Sequence, residues 1–139
     1  MIIAHSDGGA RGNPGPAAIG IVFREGDEIV GKYSEKLKGK LTNNVAEYWG
    51  LIKTLEIALK YNYKELTCCL DSELVVKQLL GEYQVKNKKL LELFLKVQKL
   101  QENFDKIIYK HVKRKDPFQK TADYLLNQEL DKELGVEKK

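Results

Sequence analysis

Four carboxylates are the residues of this 139-residue chain whose type and placement could do chemistry: Asp7, Glu47, Asp71 and Asp123. Asp7 closes the apolar run Met1-Ile2-Ile3-Ala4-His5-Ser6 and stands directly before Gly8-Gly9-Ala10-Arg11-Gly12-Asn13-Pro14-Gly15-Pro16. A short strand that runs into a glycine- and proline-rich loop leaves its carboxylate at the strand's mouth, where backbone can come close to a ligand. A metal ion or a phosphate could sit there. Asp71 ends a second apolar run, Leu66-Thr67-Cys68-Cys69-Leu70, while Glu47 and Asp123 fall near the starts of helical patterns. Each acidic residue also has a plain structural reading. Asn44 with Glu47 three later is close to a capping box, Asp71 and Ser72 could cap a helix, and Asp123 could be a carboxylate favoured by a helix dipole. Gly12-Asn13-Pro14-Gly15 could be only a turn. What separates the two readings is whether the four come to one place.

The elements that must bring them there can be read from periodicity. Residues 2–7 are predicted as a buried strand, 17–24 as a second with Ile19, Ile21 and Phe23 alternating, and 28–37 as a third after a turn at Glu25-Gly26-Asp27. The period then changes. Val45, Trp49, Ile52, Leu55 and Leu59 recur at three and four, which is one face of a helix over 43–60. A strand over 65–70 and a helix over 72–80, stopped by Gly81, come next. A third helix over 88–103 turns Leu90, Leu91, Phe94, Val97 and Leu100 inward; a strand over 106–112 and a final helix over 119–133 complete the pattern. Helical crossovers join parallel strands and short turns join antiparallel ones. The prediction is an α/β fold with a mixed five-stranded sheet, three antiparallel strands then two parallel, and helices on both faces. With strands 2–7 and 65–70 adjacent, Asp7 and Asp71 would meet at their carboxyl ends, where open α/β sheets gather ligands.

Composition narrows the class. The length suits one domain over 1–139, and no apolar run approaches the roughly 18 residues of a membrane span. The first residues do not form a secretory signal, since the apolar run ends quickly in His5, Ser6 and Asp7. The expectation is a cytoplasmic protein. Cys68 and Cys69 are adjacent, cannot reach relaxed disulfide geometry, and read as reduced thiols on a strand. Net charge is +4, with six basic residues and one acidic one between positions 106 and 120, a clustering that suits a polyanion. His5 and His111 read as packed residues, and Trp49 as core.

The chain resembles ribonuclease H of type 1, the enzymes that cut the RNA strand of an RNA/DNA hybrid. The resemblance is carried by Asp7-Gly8-Gly9-Ala10-Arg11-Gly12-Asn13-Pro14-Gly15-Pro16, Thr42-Asn43-Asn44-Val45-Ala46-Glu47, Leu70-Asp71-Ser72-Glu73-Leu74-Val75 and Ala122-Asp123. They follow the family's order and its order of strands and helices. The resemblance implies a ribonuclease H-like fold and a metal-dependent endonuclease in which Asp7, Glu47, Asp71 and Asp123 hold two divalent ions, normally Mg2+ with Mn2+ as a substitute. It further implies RNA contacts from Gly8, Asn13, Asn43 and Asn44, and a pocket for a DNA phosphate at Thr42 and Asn87, with Lys40 where some members place arginine. The products would carry 5′-phosphate and 3′-hydroxyl ends. The implied partner is the RNA/DNA hybrid, bound by a monomer that needs no membrane and no protein partner. Alternatives are a non-catalytic hybrid-binding module of the same fold and a related nuclease acting on double-stranded RNA or branched DNA.

The residue types suit that chemistry. Magnesium prefers hard oxygen ligands and keeps several waters, so a few carboxylates and a substrate phosphate suffice. Short amides and exposed glycine backbone can reach 2′-hydroxyls in a shallow minor groove. Departures from the family pattern stand at four places. The segment 113–121 has no histidine; Gln119 stands where asparagine is usual; Glu73 stands where some members have glutamine; and only residues 82–87 link the second helix to the third, with no basic insertion. Grip on the hybrid would fall to Lys86, Lys88, Lys89 and the lysines of 113–120, with an affinity that falls with salt.

Overall fold

The predicted meander is present as β1 (Ile2–Ala10), β2 (Gly15–Glu25) and β3 (Glu28–Leu41), in a computed structural model whose described residues are 1–133. Then come α1 (Asn43–Lys60), β4 (Glu65–Leu70), α2 (Glu73–Leu79), α3 (Lys88–Gln101), β5 (Lys106–His111) and α4 (Pro117–Glu133). The sheet order is β3-β2-β1-β4-β5. β1, β2 and β3 pair antiparallel, and β4 lies parallel to both β1 and β5, as the hairpins and helical crossovers require. Residues 134–139 of the predicted domain lie outside the described residues.

Alternation along β2 divides the sheet between two layers of helix. Ala17, Ile19, Ile21 and Phe23 join the main core, where α1 contributes Tyr48, Leu51, Ile52 and Leu55, and α3 adds Leu90, Leu93 and Val97. On the other face Ala18 packs with Leu126 and Leu130 of α4. Gly20 lets α4 approach this closely, because a Cβ there would overlap the Ala122 carbonyl oxygen. The helix that carries Asp123 is thereby laid directly on the sheet.

Among the boundaries that differ from the sequence reading, three bear on the site. β1 does not stop at Asp7, because Gly8, Gly9 and Ala10 go on pairing with Ile19, Ala18 and Ala17 of β2. Its pairing with β4 ends earlier, at His5 opposite Cys69, so Asp7 stands where β1 parts from β4. β3 continues to Leu41 and delivers Lys40 and Thr42 to the start of α1. α4 begins at Pro117, since the Asp116 carboxylate accepts hydrogen bonds from the backbone N–H groups of Phe118 (2.9 Å) and Gln119 (3.1 Å).

Helix facing also differs in detail. Trp49 is half-buried rather than core, with the Lys96 ammonium 5.0 Å from its ring centroid. On α3 it is Leu93, not Leu91, that turns inward, and Leu91 is exposed. Both residues fit a helical stripe with Leu90 and Val97; contact with α1 selects between them. No helix among the described residues is long and apolar enough to cross a membrane.

Candidate active site

Asp7, Glu47 and Asp71 each offer a carboxylate oxygen within 4.8 Å of the others. Strand divergence supplies two of them: β1 and β4 separate after His5 and Cys69, opening a gap into which Asp7 and Asp71 are delivered. The third comes from a close approach of helix to strand. A Cβ at Gly8 would overlap the Ala46 carbonyl oxygen, so the bare backbone of Gly8 lets α1 lie against β1. The Gly8 N–H then donates to Glu47 Oε1 at 3.1 Å. Asp7 and Glu47 are each only 6% exposed. Glu47 therefore joins the carboxylate cluster and is not a cap; the cap of α1 is Thr42, whose Oγ1 accepts from the Val45 N–H. Asp71 precedes the true cap of α2, Ser72, whose Oγ accepts from the Val75 N–H.

Among the described residues, one oxygen of this cluster has no partner: Glu47 Oε2 is buried without a hydrogen-bond donor. Leaving such an acceptor unmet is costly, and a cation with oxygen preference would meet it. The donor set of three clustered carboxylates fits a hard divalent ion.

Electrostatics say the same from the proton's side. Burial, and next the charge of Glu47, raises the pKa of Asp7 well above the ordinary carboxylate range. Burial also raises Glu47. Asp71 is raised by burial, opposed by the Arg114 guanidinium, whose Nε lies 3.6 Å from Asp71 Oδ2. Without a cation the cluster holds protons to higher pH than free carboxylates do.

Asp123 lines the same cavity of about 360 Å³ but lies outside the closely spaced trio. The expected four-way meeting is thus three carboxylates in mutual reach and a fourth on the cavity wall. Asp123 sits in the second turn of α4, where Asn127 Nδ2 donates to its Oδ1 at 3.2 Å.

A second cavity, of about 560 Å³, collects most of the other expected residues: Asn13, Lys40, Thr42, Asn43, Asn44 and Asn87. Asn87 Oδ1 accepts from the Leu90 N–H at 3.0 Å, as Thr42 does for α1, so the N-termini of α1 and α3 both open here. Such termini favour anions. Of the residues expected at the RNA strand, Gly8 lines the first cavity, Asn13 lines the second, and Asn43 and Asn44 line both. Two hydrogen bonds place Asn13. Asn13 Oδ1 accepts from the Asn43 N–H at 3.0 Å, and Asn43 Oδ1 accepts from the Ala10 N–H at 2.9 Å, which ties the β1–β2 loop to the start of α1.

Some contributors gave little sign in the sequence. Gln119 is fully buried: its Nε2 donates to the Ser6 carbonyl at 2.7 Å and its Oε1 lies 3.1 Å from His5 Nδ1. It braces β1 behind Asp7. His5 is packed as expected, with Arg24 Nε donating to its Nε2 at 2.9 Å, whereas His111 is exposed on β5. Glu73 pairs outward with Lys77 at 2.9 Å and stays out of the cavity. Arg114 and Asn127 were not anticipated as neighbours of the carboxylates. The four-residue step from Asp123 to Asn127 was the available signal for the second, since it places both on one helix face.

Known proteins share this fold. A family model described as reverse transcriptase-like matches residues 5–128. A bifunctional protein of Mycobacterium tuberculosis is 41% identical over 132 residues, which is 94% of this chain and 35% of that protein; the chain thus spans about a third of that relative's length. Among solved structures, the RNase H1 of the halophilic archaeon Halobacterium salinarum superposes with a TM-score of 0.89 at 38% identity, covering 94% of this chain and 98% of that one. LC11-RNase H1 in complex with an RNA/DNA hybrid superposes with a TM-score of 0.90 at 38% identity, covering 96% and 99%. Matches of this extent, on a chain with the same strand and helix order and an acidic pocket where β1 and β4 part, mean that the chain belongs to the ribonuclease H type 1 family.

Proposed function

We propose that this chain is a ribonuclease H: a metal-dependent endonuclease that hydrolyses the RNA strand of RNA/DNA hybrids and leaves 5′-phosphate and 3′-hydroxyl ends. The observation that carries the reading is the trio Asp7, Glu47 and Asp71, with the unpartnered, buried Glu47 Oε2 among its oxygens. The hybrid bound by the LC11 relative supports the choice of substrate.

Asp7, Glu47, Asp71 and Asp123 are the residues that would hold the cations, with Mg2+ as the ion and Mn2+ as a substitute. Two such ions, when bound, supply an activated water on one side of the phosphodiester and stabilise the leaving 3′ oxygen on the other. The protein's own part is to assemble the carboxylates before substrate arrives. β1 and β4 are fixed by the sheet, and α1 is fixed to β1 at Gly8, so Glu47 cannot drift from Asp7. Arg114 sets positive charge beside Asp71 and moderates the repulsion among the carboxylates.

Substrate grip divides between the two cavities. In the second, the N-termini of α1 and α3, the Thr42 hydroxyl, the Asn87 amide and Lys40 would take a phosphate of the DNA strand. Between the cavities, Asn43 and Asn44 would contact 2′-hydroxyls, with Gly8 and Asn13 bordering them. The protein would act as a monomer in the cytoplasm, where its buried free thiols, Cys68 and Cys69, would stay reduced.

The test is cleavage of an end-labelled hybrid beside matched duplex DNA and duplex RNA, with Mg2+, with Mn2+ and with EDTA. Cut RNA in the hybrid alone, with Mg2+ and not with EDTA, is the expected result. Hybrid binding without cleavage would assign a non-catalytic module, and cleavage of duplex RNA would broaden the substrate class.

A further inference from the structure

Asp123 is the one carboxylate of the cavity held by a chain of side chains rather than by the sheet. Asp123, Asn127 and Asp131 lie four residues apart on one face of α4. Arg11, just past the end of β1, crosses that face. Its Nη2 is 2.6 Å from Asp131 Oδ1, 3.3 Å from Asn127 Oδ1 and 3.4 Å from the Asn127 carbonyl oxygen. Asn127 Nδ2 in turn donates to the Asp123 carbonyl at 2.9 Å and to Asp123 Oδ1 at 3.2 Å.

The donor inventory fixes the direction of this chain. A guanidinium carries donors only, so the Asn127 atom facing Arg11 must be the carbonyl oxygen. The amide nitrogen is then turned to Asp123, and all its donors are available there. A carboxylate that receives such a donor is held in one orientation. Arg11, Asn127 and Asp123 all border the cavity that contains the trio.

We propose that Asn127, aligned by Arg11, is a positioning residue that presets Asp123 on the cavity wall and thereby sets how tightly a divalent cation is taken up between Asp123 and the trio. The inference rests on the functional reading above for the identity of the ligand. It also couples the β1–β2 loop to α4, because Arg11 belongs to the loop and Asp123 to the helix.

The test is a calorimetric titration of the full chain with Mn2+ and with Mg2+, without nucleic acid, on the wild type, Asn127→Ala, Arg11→Ala and the double variant. Partners that orient metal ligands typically govern about 10-fold to 100-fold in metal affinity or activity, and Asn127→Ala is expected to weaken cation uptake by about 10-fold. Arg11→Ala should act in the same direction, and the double variant should be no weaker than Asn127→Ala alone, because Arg11 acts through Asn127. In the cleavage assay the Mg2+ midpoint should rise by a similar factor while KM for the hybrid stays within about twofold. Circular dichroism in EDTA checks that each variant is folded; should Asn127→Ala not fold, Asn127→Ser takes its place. Unchanged cation affinity in folded Asn127→Ala, or fully additive losses in the double variant, would overturn the proposal. A wild type that takes up cations with this coupling yet cleaves no hybrid would keep the positioning role and overturn the functional reading. A wild type that takes up no cation would overturn both.

Discussion

Asp7 carries the sharpest consequences at the scale of single residues, because burial and the neighbouring Glu47 charge make its ionised form unfavourable in the fold. Replacing it, or Asp71, with the uncharged amide removes repulsion and removes a cation ligand together. Asp71→Asn is expected to lower hybrid cleavage by at least about 1,000-fold. In EDTA the same variant should melt higher than the wild type by about 3 °C or more. Loss of activity with a lowered melting temperature would mean that Asp71 serves the fold rather than the ions.

The pH dependence follows with a definite sign. Asp7 and Asp71 are raised in the fold above their ordinary value of 3.8, so the folded chain binds protons that the unfolded chain has released. Stability from this source is complete below that value and is lost as pH rises through the folded pKa values. His5 works the other way, since burial lowers it from 6.5 and its contribution is lost as pH falls below that value. With the carboxyls dominating, melting in EDTA should drop between about pH 5 and about pH 8, and Asp7→Asn should flatten the slope. A curve that rises over that window would show that the carboxyls are not the governing groups.

Among the elements, α4 depends most on a single position of the sheet. Gly20 has no room for a Cβ beneath the Ala122 carbonyl, so Gly20→Ala must push α4 outward. Overpacking of this kind costs about 1–3 kcal/mol. Asp123 rides on the same helix, so cleavage should fall by more than the loss of folded protein explains, as shown by kcat measured against the folded fraction. Equal losses of both would separate α4 from the site. The same close-packing logic governs α1, where Gly8 brings Glu47 to the cluster.

For the whole molecule, cation binding is linked to folding because the trio is assembled from β1, α1 and the end of β4 and exists only in the folded chain. A ligand present at about 100 times its dissociation constant stabilises by about 2.7 kcal/mol, so saturating Mg2+ should raise the melting temperature by several degrees. An unchanged melting curve would argue against cation binding. Hybrid binding should weaken with salt, because Lys89 at one cavity, its sequence neighbours Lys86 and Lys88, and Arg114 at the other cavity are all exposed. Changing those three lysines to alanine is expected to reduce the salt slope by about 1 to 3. A slope that did not move would place the phosphate contacts elsewhere.

What the sequence determined by itself was local. Alternation and three-to-four spacing are written along the chain, so the order of strands and helices, the parallel and antiparallel partners and the four acidic candidates could all be read from it. Glycines and asparagines marked the segments that border the two cavities. Decisions made by contacts across the chain were not legible. Whether Leu91 or Leu93 faced α1, how far β1 ran past Asp7, and that Asn13 would tie to Asn43 each depended on which backbone lay opposite. Only the tertiary structure brought Glu47, from a helix, beneath the bare backbone of Gly8, and only there did the spacing of Asp123, Asn127 and Arg11 acquire a direction. Periodicity belongs to neighbours in sequence, while close approach and hydrogen-bond direction belong to neighbours in space.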